Sequence, residues 1–120
     1  MAKILVVDDS PSEMAKFRDI LSRNQHEVIE ALNGEEGIRK ATELQPDVIL
    51  MDVVMPEMNG FQATRQITKN AATSHIPVVI ISTKNQETDR VWGKRQGAKD
   101  YLSKPVTEEE LLQVIHAVME

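Results

Sequence analysis

Hydrophobic positions in this chain gather into five short runs, separated by stretches with helical spacing. The runs are KILVV (3–7), EVIEA (27–31), DVILM (47–51), PVVIIS (77–82) and AKDYLS (98–103). The first, third and fourth are continuous and rich in β-branched residues, the pattern of strands covered on both faces. The second and fifth alternate, as edge strands do. In the stretch 10–24, Met14, Phe17 and Leu21 share one helical face, with Ser10 or Ser12 as the cap. Residues 33–44 group Ile38, Ala41 and Leu44; residues 60–70 group Phe61, Thr64 and Ile67. Residues 107–119 open with Thr107 and Glu110 at capping-box spacing, then run Leu111, Ile115 and Val118. Residues 86–96 form the poorest helix, with Val91 and Trp92 as its apolar positions. Gly93 in its middle costs about 1 kcal/mol against Ala.

Strand and helix thus alternate five times. This predicts an α/β fold, a (βα)5 doubly wound parallel sheet of five strands with helices on both faces. In such sheets the site lies at the carboxyl ends of the strands, where the strand order reverses.

One strand end poses a problem. Val48 to Met51 read as fully buried, yet the run stops on Asp52, and burying a lone charge costs several kcal/mol. The other strand ends suggest the resolution. Strand 1 ends in Asp8 and Asp9, strand 4 in Ser82 and Thr83, and strand 5 in Lys104 and Pro105. Three carboxylates brought to one edge repel one another and raise at least one pKa. A divalent cation relieves this, and hard oxygen donors suit Mg2+ or Mn2+. Lys104 adds a donor for an oxyanion, and Thr83 a hydroxyl. A carboxylate nucleophile, a metal, an ammonium and a hydroxyl are the parts needed for phosphoryl transfer onto Asp.

Composition narrows the partners. The chain has 120 residues, 41 % hydrophobic and 28 % charged, which predicts one globular domain over 1–120. With no Cys there is neither a disulfide nor a thiolate metal site. A formal net charge of −5 and an aromatic content of 3 % argue against nucleic acid. No apolar run is long enough for a membrane span, and the start lacks the pattern of a signal peptide, so a cytoplasmic location is expected.

Taken together, Asp8-Asp9, Asp52 followed by VVMPEMNG, Thr83 and Lys104-Pro105 resemble the receiver domain of two-component response regulators. The resemblance covers the whole chain. MNGFQATRQITK and TKNQETDRVWGKRQGAKDYLSKPV are further similar to stand-alone receivers of twitching-motility (type IV pilus) chemosensory systems. The resemblance implies a flavodoxin-like sheet of order 2-1-3-4-5. It implies a phosphoryl group accepted on Asp52 from a histidine kinase, with Asp8, Asp9, Asp52 and the Val54 carbonyl around Mg2+. Lys104 would hold the phosphoryl group, Thr83 would be the switch hydroxyl and Tyr101 the switch aromatic. A cis Lys104-Pro105 bond is implied as well. The two-state face would comprise the fourth helix, strand 5 and the last helix, with Trp92 and Tyr101 near its centre. Tyr101 would turn inward when Thr83 shifts. Lys84 departs from the family's Ala or Gly and is placed to cover the site or pair with the phosphoryl group.

Singly, these residues have plainer readings. Asp8-Asp9 suits a helix N-terminus, Lys104-Pro105 a loop, Thr83 a turn and Tyr101 a half-buried core position. His26, His75 and His116 lack ligand spacing and read as surface residues, and the methionines read as core filler. A flavin carrier would need an anion-friendly loop where DDSPSE is acidic. A metal-dependent phosphatase would want a general acid where Val54 stands. A phosphate sink for a sister regulator and a phosphate-independent interaction module are the remaining alternatives. No output domain is expected beyond the helix that follows strand 5, and binding of a downstream protein target in trans is expected.

Overall fold

The computed structural model describes all 120 residues, Met1–Glu120. Strands β1 (Lys3–Val7), β2 (Glu27–Ala31), β3 (Val48–Met51), β4 (Val78–Ser82) and β5 (Asp100–Ser103) alternate with five helices. These are α1 (Pro11–Arg23), α2 (Gly34–Leu44), α3 (Gly60–Lys69), α4 (Glu87–Arg95) and α5 (Glu108–Met119). The sheet is parallel with order β2-β1-β3-β4-β5. The two alternating runs are therefore its edges, and the three continuous runs its interior.

Successive strand residues point to opposite faces, and each face has its own core. Leu5, Val7, Ile49, Met51, Val78 and Ile80 pack with Ala41 of α2 and Phe61 and Ile67 of α3. Ile4, Val6, Val48, Leu50, Val79 and Ile81 pack with Phe17 and Leu21 of α1 and Leu111 and Ile115 of α5. Each fully buried Leu or Ile contributes about 1.5–3 kcal/mol.

The helix starts follow local side-chain chemistry. Ser10, not Ser12, caps α1 by accepting from the Glu13 N–H, with Pro11 opening the helix. Thr107 and Glu110 form the expected reciprocal box, with bonds of 2.9 and 3.1 Å. A second such box, Asn59 with Gln62, starts α3. Close packing at Gly60 fixes the position of that start. A Cβ there would run into the Asp52 carbonyl oxygen and lie 2.8 Å from Val53 Cα. The Gly60 N–H donates to Val53 O at 2.9 Å, so α3 begins directly against the chain leaving β3.

Several expectations about individual positions change. Leu44 is 42 % exposed because α2 ends there and Gln45 turns left-handed after it. Residues 98–99 belong to the turn out of α4, where the Ala98 N–H donates to Gly93 O, so β5 begins only at Asp100. His26 is half-buried, and its Nδ1 accepts the Ala2 N–H at 3.0 Å. The methionines divide: Met14, Met51 and Met55 are core, whereas Met1 and Met119 are exposed. In α4 only Gly93 is buried, which matches its poor apolar pattern.

Candidate functional site

Register builds the site. Val7 pairs with Met51, so the next residues, Asp8 and Asp52, leave neighbouring strands side by side. The Asp52 N–H donates to Val7 O at 2.9 Å and keeps them level. Ser82 pairs with Ser103, which sets Thr83 beside Lys104, and the Lys104 N–H donates to Ser82 O at 3.0 Å. The Lys104-Pro105 bond is cis. Residues far apart in sequence thus meet because four strands end together.

The carboxylates converge. Oxygens of Asp8, Asp9 and Asp52 all lie within 4.8 Å of one another. Asp8 is buried, Asp52 is 9 % exposed and Asp9 faces solvent. Lys104 Nζ donates to Asp8 Oδ2 at 2.9 Å and lies 3.5 Å from Asp52 Oδ1. Glu13, from the first turn of α1, comes within 3.7 Å of the same ammonium.

The electrostatics follow from this crowding. Burial pushes the Asp52 carboxyl up to about 6; the Lys104 charge opposes that push and the Asp8 charge adds to it. Burial by itself would lower the Lys104 pKa. The hydrogen bond to Asp8 and the charges of Asp52, Asp8 and Glu13 outweigh burial and raise it. One ammonium is thus shared among more carboxylates than it can neutralise. This all-oxygen, charge-deficient donor set fits a hard divalent cation such as Mg2+ or Mn2+.

The other candidate residues sit around this centre. Thr83 is exposed just past β4. Val54 lies in the loop two residues beyond Asp52, its side chain 59 % exposed. The Lys84 ammonium is 3.6 Å from Asp89 of α4, so in this arrangement it pairs with that helix. Trp92 is 49 % exposed. Tyr101 departs from expectation: its ring is already inward, 1 % exposed, with its hydroxyl donating to the Lys84 carbonyl. It cannot stand at the centre of an exposed face in this arrangement, whereas Trp92 can.

Sequence reasoning missed three contributors. Glu13 left one signal, its place in the first turn after the acidic pair. Gly60 carried only the sign of a glycine after Asn. Arg90, which donates to Tyr101 O at 3.0 Å and to Ser103 Oγ at 2.7 Å, left none, because its partners lie on another element.

Comparison with known proteins agrees with the fold. The family model for the response regulator receiver domain matches residues 4–116. The chain belongs to this family. It is 61 % identical over 119 residues to Protein PilH of Pseudomonas aeruginosa, covering 99 % of this chain and 98 % of that one. Several other relatives are longer, and the chain spans about half of their length or less. Among solved structures, chemotaxis protein CheY4 of Vibrio cholerae superposes with a TM-score of 0.92 at 34 % identity, covering 98 % of each chain. The receiver domain of sensor histidine kinase PA1611 from Pseudomonas aeruginosa gives a TM-score of 0.91 at 27 % identity, covering 98 % of this chain and 97 % of that one. That structure has a magnesium ion coordinated in its active-site cleft. No helix here is long and apolar enough to cross a membrane.

Proposed function

We propose that this receiver accepts a phosphoryl group on Asp52 from a histidine kinase and passes the change to a downstream protein target. The observation that carries the reading is the placement of Asp52. It is a nearly buried carboxylate at a strand end, inside the three-aspartate cluster and 3.5 Å from the Lys104 ammonium.

In the proposed step an Asp52 oxygen attacks the phosphorus of a phosphohistidine. A P–O bond forms as the P–N bond breaks, and the imidazole leaves. Asp8, Asp9 and Asp52, with the Val54 carbonyl, would hold Mg2+, which when bound neutralises the carboxylates and the charge on the transferred phosphoryl oxygens. Lys104 turns from Asp8 and Asp52 toward those oxygens without moving far. Thr83 supplies a hydroxyl from the end of β4, and forming that bond draws the β4–α4 segment inward. The phosphoryl group adds about −1.5 to −2 charge and three acceptor oxygens at the end of β3. Its effect on the exposed Trp92 side of α4 equals the difference between its contacts in the two arrangements. The reaction modifies the chain's own Asp52 and turns over no other substrate.

The likeness to PilH and the stretches 58–69 and 83–106 support a place in twitching-motility or other chemotaxis-like signalling in the cytoplasm. The domain would act over its whole length, 1–120. The deciding experiment is phosphotransfer from purified histidine kinases, read by intact-mass spectrometry with and without Mg2+. Wild type should gain one hydroxylamine-labile phosphate only with Mg2+. A phosphate on Asp52→Asn would place the nucleophile elsewhere.

A further inference from the structure

The poor helix α4 has a feature that its sequence pattern leaves unexplained. Gly93 is its one buried residue, although glycine is the weakest helix former after proline. A Cβ on Gly93 would stand 2.9 Å from Tyr101 Cδ2 and 3.0 Å from both Tyr101 Cε2 and Ile80 Cδ1. The Ile80 atom is the free end of a flexible chain and can give way. The tyrosine ring is rigid and enclosed, so it would have to leave.

Two further contacts close around that ring. Arg90, one helical turn before Gly93, bonds Tyr101 O and Ser103 Oγ, and its guanidinium lies 5.5 Å from the ring centroid. The Tyr101 hydroxyl donates to the carbonyl of Lys84, the residue after Thr83. The ring is thus held at its face, at its own backbone and at its tip. Burial and the nearby Asp89 charge both raise the hydroxyl's pKa, as expected of an enclosed phenol.

We propose that Gly93 and Arg90 are positioning residues that seat Tyr101 inward before any phosphoryl group is attached. The switching role of this seat rests on the reading of Asp52 given above. With the ring already seated, a shift at Thr83 reaches α4 through the Lys84 carbonyl and the Tyr101 hydroxyl, not through rotation of the ring. Gly93 then serves as a socket whose cost in helix propensity is offset by the packing of the ring.

The chain has a single Tyr, which permits a direct test. The full chain is labelled with 3-fluorotyrosine, kept free of metal and phosphodonor, and its fluorine resonance is followed as a soluble nitroxide is added. Wild type should be shielded. Gly93→Ala and Arg90→Ala should each show several-fold greater broadening. Thermal melts separate the socket from helix propensity: Gly93→Ala should lower Tm in wild type and raise it in a Tyr101→Leu background. If Gly93→Ala does not fold, Arg90→Ala decides the matter. A wild-type resonance that broadens freely overturns the proposal, and so does Gly93→Ala that stays shielded and raises Tm in both backgrounds. No arm needs a phosphoryl group, so failure of phosphotransfer at Asp52 would be seen separately.

Discussion

Lys104 donates to Asp8 at 2.9 Å across 96 residues of chain, and both side chains are withdrawn from solvent. The same ammonium is the strongest influence holding down the pKa of Asp52. Lys104→Ala removes that charge and leaves burial and Asp8 unopposed. The Asp52 carboxyl, at about 6 in the intact protein, should then titrate higher. Carbon-13 NMR of labelled aspartate in metal-free protein reads this directly, and an unmoved or lowered value would refute the pairing.

The same raised pKa predicts how stability depends on pH without metal. Asp52 titrates at about 6 when folded, against an ordinary 3.8. Between these values the folded state keeps a proton that the unfolded chain has released. Stability therefore falls as pH rises through that window, by about 2–3 kcal/mol from this group. His26 works in the opposite direction: burial, the N-terminal ammonium and His116 lower its pKa, so stability falls as pH drops below about 6.5. Urea melts in EDTA at a series of pH values isolate Asp52 as the difference between wild type and Asp52→Asn. A difference that is flat from about pH 4 to 6 would contradict the burial of Asp52.

Mg2+ should stabilise the fold by relieving the carboxylate cluster. A ligand that binds only the native state adds about 2.7 kcal/mol at a hundredfold excess over its Kd. Asp9→Ala removes the exposed member of the cluster and leaves the buried ones in place, so its melting temperature should respond much less to Mg2+. Equal shifts in wild type and Asp9→Ala would remove Asp9 from the donor set.

Gly60→Ala should be among the most damaging single changes in the chain. The added methyl group meets backbone at Asp52 and Val53, which cannot swing aside as a side chain can. A loss above about 4 kcal/mol by urea denaturation is expected, together with weaker Mg2+ binding as Asp52 is displaced. A loss near zero would mean that α3 is free to move away from the end of β3.

Much of this protein was determined along the sequence alone. Continuous runs at 3–7, 47–51 and 77–82 and alternating runs at 27–31 and 98–103 separated interior strands from edges, because burial on two faces and on one leaves different patterns. Asp8, Asp9, Asp52, Thr83 and Lys104 were legible as a candidate site because each follows a strand end, and parallel strands bring those ends to one edge. The tertiary structure decided whatever depends on neighbours from other elements. It placed Lys104 against Asp8, Asp52 and Glu13 and turned Lys84 toward Asp89. It also put Gly60 against Asp52 and Gly93 against Tyr101. A glycine tolerated for its flexibility and one required for close approach look alike in a sequence. Only the atom across the gap tells them apart, and it belongs to a strand whose distance along the chain says nothing about its distance in space.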